Sequence, residues 1–192
     1  MKKVILVHGW GGSPENEWFP WLKKQLEEKG FKVDAPEMPD TFNPKIDKWV
    51  AKLNEIVGKP DKDTFLLGHS IGCQTVMRYL QSLDEDVRVG GVVFVAGWFD
   101  LTDETWDEDY TPEKAKQWIE TPIDFEKIKK HTDKFVDIAS DDDPYVRLSD
   151  SELFKEKLGA KIIIEHNKGH ICQESGVMEL PSALNEILEM AK

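Results

Sequence analysis

The sequence predicts an α/β fold: a three-layer α/β/α sandwich around a mostly parallel sheet of about six strands. Short β-branched runs alternate with helical patterns along the chain, the order that places helices on both faces of a parallel sheet. The 192 residues suffice for one substantial core without disulfides or metals to staple it. Strands are predicted at 3–7, 31–35, 64–68, 91–96, 134–139 and 160–165.

The helices follow from apolar spacing and stop signals. Asn43 is read as an N-cap and Pro44 as the first residue of a helix in which Ile46, Trp49, Val50, Leu53, Ile56 and Val57 share one face, ending at Gly58. A helical stretch from Cys73 to Leu83 follows the third strand. Ser149 and Glu152 have the spacing of a capping box, for a helix ending near Gly159, and Leu180, Leu184, Ile187 and Leu188 give the last helix its apolar face. Segment 97–133 breaks the alternation, with Trp98, Phe99, Trp106, Tyr110 and Trp118 set among acidic residues. It reads as a small cap-like insertion in a single domain spanning 1–192, with Trp106 and Trp118 packing it onto the sheet.

Composition excludes several classes. A formal charge of −12 would repel nucleic acid. The two cysteines, Cys73 and Cys172, are too few for a disulfide framework and lack zinc-site spacing, which points to a reducing compartment. The apolar run Val4–Val7 ends at His8, short of a secretory h-region, and no run approaches the ~20 apolar residues of a membrane span. A cytoplasmic chain with no metal, no cofactor and no membrane contact is expected.

The sharpest signal is Gly68-His69-Ser70-Ile71-Gly72, between a predicted strand and a predicted helix. A nucleophile elbow needs a strained turn there, flanked by glycines so that neighbouring chains approach, with the serine hydroxyl raised clear of the sheet. A serine needs a base within hydrogen-bond reach and a third group to hold that base. Of the five histidines, His170 sits in a Lys168-Gly169-His170 loop after the last strand and is the candidate base, with His166, read as partly buried where the strand ends, next in line. His69 is expected to point away from Ser70, His131 to lie near the end of a surface helix, and His8 to leave the first strand. The acid belongs after the preceding strand, where Asp141, Asp142 and Asp143 stand together. Any of the three could serve; Asp143 is favoured because Pro144 holds it extended. Serine, acid and base then follow in the order Ser, Asp, His, each just after a strand. The loop His8-Gly9-Trp10-Gly11-Gly12 supplies a backbone N–H at Trp10 which, paired with that of Ile71, would form an oxyanion hole.

These motifs resemble the small serine hydrolases related to the retinoblastoma-binding protein nine family, along essentially the whole chain: His8-Gly9-Trp10, Trp18 to Leu26, Gly68 to Cys73, Asp142 to Val146, Gly169-His170, Ser175-Gly176 and Leu180-Pro181. The resemblance implies a minimal α/β-hydrolase fold with strand order 2-1-3-4-5-6, and nucleophile, acid and base at Ser70, Asp143 and His170. Arg147 stands where such chains usually have proline, a change expected at the rim of the site.

The function expected is hydrolysis of a small carboxylic ester, thioester or activated amide through an acyl-serine. A hydrolase-fold protein-interaction module is the alternative. Trp10, Trp98 and Phe99 are expected to wall the site and favour short acyl or small aromatic groups, with no lipase-like lid. Cys73 and Cys172 flank Ser70 and His170 in sequence, so they are either buried core thiols or modulators of activity on oxidation.

Overall fold

The computed structural model describes residues 1–192. Its strands β1 (Lys3–Val7), β2 (Lys32–Asp34), β3 (Thr64–His69), β4 (Gly91–Val95), β5 (Phe135–Ser140) and β6 (Lys161–Glu165) form one sheet in the order 2-1-3-4-5-6. Every neighbouring pair is parallel, where the sequence predicted a mostly parallel sheet. The central strands are buried on both faces, which is why each is a nearly unbroken apolar run.

Alternation along those strands feeds two cores. Val4, Leu6, Phe65 and Leu67 meet α1 (Phe19–Glu28) and α7 (Pro181–Met190). Ile5, Val7, Leu66 and Phe94 meet α2 (Ile46–Val57), α3 (Ile71–Leu80) and α6 (Leu148–Leu158). The segment after β4 carries α4 (Pro112–Glu120) and α5 (Phe125–Lys129), whose Trp118 and Ile128 join this second core. No helix is long and apolar enough to cross a membrane.

Three helix boundaries differ from expectation, each because another contact takes the backbone groups. α2 starts at Ile46, not Pro44: Gln117 Oε1 accepts the Ile46 N–H at 3.1 Å, and the Pro44 carbonyl accepts from Trp118 Nε1 at 3.0 Å. α6 starts at Leu148, so Ser149 lies inside the helix and forms no capping box; the preceding turn is organised by Asp143, whose Oδ1 accepts from the backbone N–H groups of Tyr145 and Val146. α3 ends at Leu80 rather than Leu83, the Ser82 and Leu83 N–H groups closing a tighter turn onto Tyr79 and Leu80.

Candidate active site

Ser70 occupies the turn from β3 into α3 with φ 53° and ψ −122°, a conformation side chains rarely adopt. The turn is held by Ser70 N–H donating to the Val95 carbonyl at 2.9 Å. Gly72 is forced by proximity: a Cβ there would strike the Val7 carbonyl of β1. One methyl group would push the elbow off the sheet.

His170 follows β6 in a loop tied to the end of β5 by three consecutive aspartates. Asp141 accepts from Asn167 N–H at 3.0 Å and lies 2.5 Å from His166 Nδ1. Asp142 accepts from the Ser140 hydroxyl at 2.7 Å and from Gly169 N–H at 2.8 Å. Asp143 Oδ2 lies 2.7 Å from His170 Nδ1, and His170 Nε2 lies 3.0 Å from Ser70 Oγ. A carboxylate only accepts, so Nδ1 carries the proton and Nε2 faces Ser70 with its lone pair. The Asp143 side chain is 2% exposed and that of His170 13%, so their contact is largely removed from water. The Ser140 and His166 bonds hold the Asp142 and Asp141 carboxyls below their ordinary range; Asp141 raises His166.

The other histidines are accounted for, one against expectation. His166 is exposed on Asp141 rather than partly buried, and far from a serine-facing position. His131 lies just past the end of α5, as expected, with its ring buried on the Val87 carbonyl at 3.0 Å. His8 accepts from Met38 N–H at 3.0 Å, and burial lowers its pKa. His69 turns off the serine side as expected, yet Nε2–H donates to the His170 carbonyl at 3.0 Å and its Nδ1 lies 3.1 Å from Glu17. Elbow and base loop are therefore joined by a second bond, independent of Ser70.

A cavity of about 320 Å³ opens over Ser70 and His170. Trp10, Trp98, Trp106, Tyr110 and Tyr145 supply its aromatic wall, and Cys172 also reaches it. Phe99 does not: it turns into the core against Phe125 and Phe154, ring centres 5.7 and 4.6 Å away. Trp106 packs against the second core as expected and also lines the cavity, while Trp118 is buried as expected. The N–H groups of Trp10 and Ile71 belong to the two loops that meet beside Ser70; that of Trp10 donates to no backbone carbonyl, and that of Ile71 opens α3 without an intrahelical acceptor. Arg147 pairs with Asp100 at 3.4 Å and is not among the lining residues. Cys73 is fully buried beneath the elbow, its Sγ donating to the Gly68 carbonyl at 3.1 Å, and burial pushes its thiol pKa well up. Burial raises Cys172 as well. Both thiols are free. Sequence reasoning missed Glu17, Tyr110, Tyr145 and Glu174 as lining residues; nothing in their spacing marks them, since the walls come from four separate loops.

A six-stranded parallel sheet in this order, with a serine on the turn from its third strand into a helix, defines the class: a minimal α/β-hydrolase fold. The chain belongs to the Serine hydrolase family, which matches residues 4–189. It is 29% identical to YdeN of Bacillus subtilis, named as a hydrolase, over 180 residues covering 94% of this chain and 91% of that protein. To the rat (Rattus norvegicus) serine hydrolase RBBP9 it is 28% identical, covering 98% and 97% of the two chains. The crystal structure of the B. subtilis ydeN product superposes with TM-score 0.90 at 27% identity, covering 99% and 98%.

Proposed function

We propose that this hydrolase cleaves small carboxylic esters, thioesters or activated amides through an acyl-Ser70 intermediate. The observation that carries the reading is the continuous hydrogen-bonded chain from Ser70 Oγ through His170 to Asp143 at the floor of the cavity. Ser70 Oγ attacks the substrate carbonyl carbon while His170 Nε2 takes its proton; the oxyanion is held by the N–H groups of Trp10 and Ile71. The bond to the leaving group breaks, and His170 returns the proton to the departing alcohol, thiol or amine. Water then attacks the acyl carbon, giving a proton to His170, and the acid product leaves as Ser70 Oγ is reprotonated. Asp143 holds the imidazole tautomer throughout.

A cavity of about 320 Å³ lies at the small end of ligand sites, which favours short acyl or small aromatic groups and gives no role to a lipid surface. The reading includes a single domain over 1–192 with 97–133 as a small cap, no cofactor, and a cytoplasmic setting. The test is labelling with a fluorophosphonate probe, together with a screen of p-nitrophenyl esters, thioesters and aminoacyl amides against wild type and Ser70→Ala. Label and turnover lost together in the variant support it. A wild type that neither labels nor turns over would overturn it in favour of a hydrolase-fold interaction module.

A further inference from the structure

The cavity over Ser70 is acidic as well as aromatic. Glu17, Glu104, Asp107 and Glu174 line it, and no lysine or arginine does. Glu17 reaches the wall from a backbone at φ +61°, a strained conformation that keeps its half-buried carboxylate beside His69, and its Oε2 has no hydrogen-bond partner. Asp107 and Glu174 act on the two tyrosines of the mouth: burial first, and then these carboxylates, raise Tyr110, and Glu174 and Asp107 likewise add to the burial that raises Tyr145. The aromatic faces are a separate observation. Trp10 and Tyr110 meet edge to face with ring centres 5.3 Å apart, and Tyr145 stands 5.3 Å from the His170 ring. Indole and phenol faces attract cations through their quadrupoles, and do so most strongly where water is excluded.

We infer that the preferred substrates carry an ammonium group, protonated or quaternary, close to the scissile carbonyl. This rests on the hydrolase reading above and names its substrate class. Carboxylates at the rim draw a cation in through a field that salt screens, and the aromatic wall holds it after desolvation; an anionic substrate meets repulsion from the same groups. The opposite edge of the sheet shows that this is a local property of an acidic chain. There Lys62, Arg88, Lys129, Lys130 and Lys134 line a shallow depression around His131, with Asp133 the one acidic residue among them.

The experiment compares matched esters that differ in one atom: acetylthiocholine against its neutral isostere, in which carbon replaces the ammonium nitrogen, and a trimethylammonio-acyl p-nitrophenyl ester against its tert-butyl counterpart. In at least one pair, kcat/KM should favour the cation by about tenfold, and the preference should shrink as salt is raised from about 0.01 to 0.5 M. The double variant Asp107→Asn with Glu174→Gln should lower the cation-to-neutral ratio about fivefold, a ratio in which any change common to both esters cancels, and a cooperative urea unfolding transition certifies folding. The amide oxygen that Asp107→Asn leaves in place can still accept the N–H groups of Asp109 and Tyr110, which the carboxylate accepts now. Neutral esters hydrolysed as fast as their cationic partners, or a preference indifferent to salt and to the double variant, would overturn the inference and leave the hydrolase reading standing. Failure of fluorophosphonate labelling with no ester turned over would sink both.

Discussion

The two edges of the sheet bend the chain by different means. Six non-glycine residues have positive φ, and all six lie in segments running from a strand to the next helix: Glu17, Asp40, Ser70, Ala96, Asn167 and Ile171. In the helix-to-strand segments only Gly30, Gly58 and Gly159 do, and each has open space where a Cβ would stand. Where the chain has only to turn, it follows intrinsic preference and uses glycine. Where it has to present a side chain, it accepts of order 1–3 kcal/mol of strain per residue, held in place by the packed sheet beneath. Ser70 is anchored to β4 by the bond its N–H donates to the Val95 carbonyl, and Asn167 and Ile171 bracket the loop that carries His170.

The largest test of this contrast is at Ser70. Ser70→Ala should lower kcat/KM by a factor on the order of 10⁴ or more, and adding His170→Ala should cost little further. Ser70→Gly should be equally inactive but melt higher, because glycine relieves the positive φ; a gain of about 1 kcal/mol in urea unfolding is expected. A glycine variant no more stable than Ser70→Ala would show that the elbow is not strained.

Among the three aspartates, Asp143→Asn should cost on the order of 10³ to 10⁴ in kcat by releasing the imidazole tautomer. Asp142→Asn should cost about tenfold or less, since an amide oxygen still accepts from Gly169 N–H. Equal losses would mean that the loop acts only as a unit. This distinction was open in the sequence, where Asp-Asp-Asp-Pro offers three carboxylates and one weak local cue. The positions of the strands, the turn at Ser70 and the placement of His170 rather than His166 beside it were legible because each depends on local signals: apolar runs, flanking glycines, a loop after a strand; the order of the strands across the sheet came from the family resemblance alone. The turn of Phe99 into the core and the reach of Trp106 into the cavity were not legible. Adjacent segments of an irregular insertion give no periodicity to say which ring faces the core, and the answer depends on Phe125 and Phe154, far away in sequence. The helix starts failed for the same reason: Gln117 and Asp143 took over backbone groups that local rules assign elsewhere.

A third prediction concerns charge buried in mid-strand. Asp137 of β5 is fully buried, and burial, offset only in part by the Ser151 hydroxyl, raises its pKa from 3.8 to about 7. The native state therefore keeps a proton that the unfolded chain releases near pH 4. Raising pH through that window favours unfolding, and the loss levels off above about pH 7. Asp150, raised to about 6, adds a smaller loss with the same sign. Urea unfolding should show stability falling by an amount on the order of 2–4 kcal/mol between pH 4 and 8 from Asp137. Asp137→Asn should remove most of that slope and be the more stable protein at pH 8. A slope unchanged in the variant would rule out Asp137 as its source.

The smallest effect belongs to the relaxed edge. Gly159→Ala, at the left-handed C-cap of α6, should destabilise by about 1 kcal/mol with kcat/KM unchanged. A change in catalysis would show that strain at the two edges is coupled.

The second bond between elbow and base loop, from His69 Nε2 to the His170 carbonyl, bears on when the site becomes ordered. Fixing the backbone of a loop residue costs roughly 1–2 kcal/mol in conformational entropy. Asn167, Lys168, Gly169 and His170 each have a tie to β5, its following turn or the elbow, and all of these form during folding. No part of that ordering waits for a ligand. Substrate affinity is then not reduced by a closing step, and hydrolysis should begin without a lag on mixing. Over the range where the protein stays folded, its rate should rise with temperature along one straight Arrhenius line.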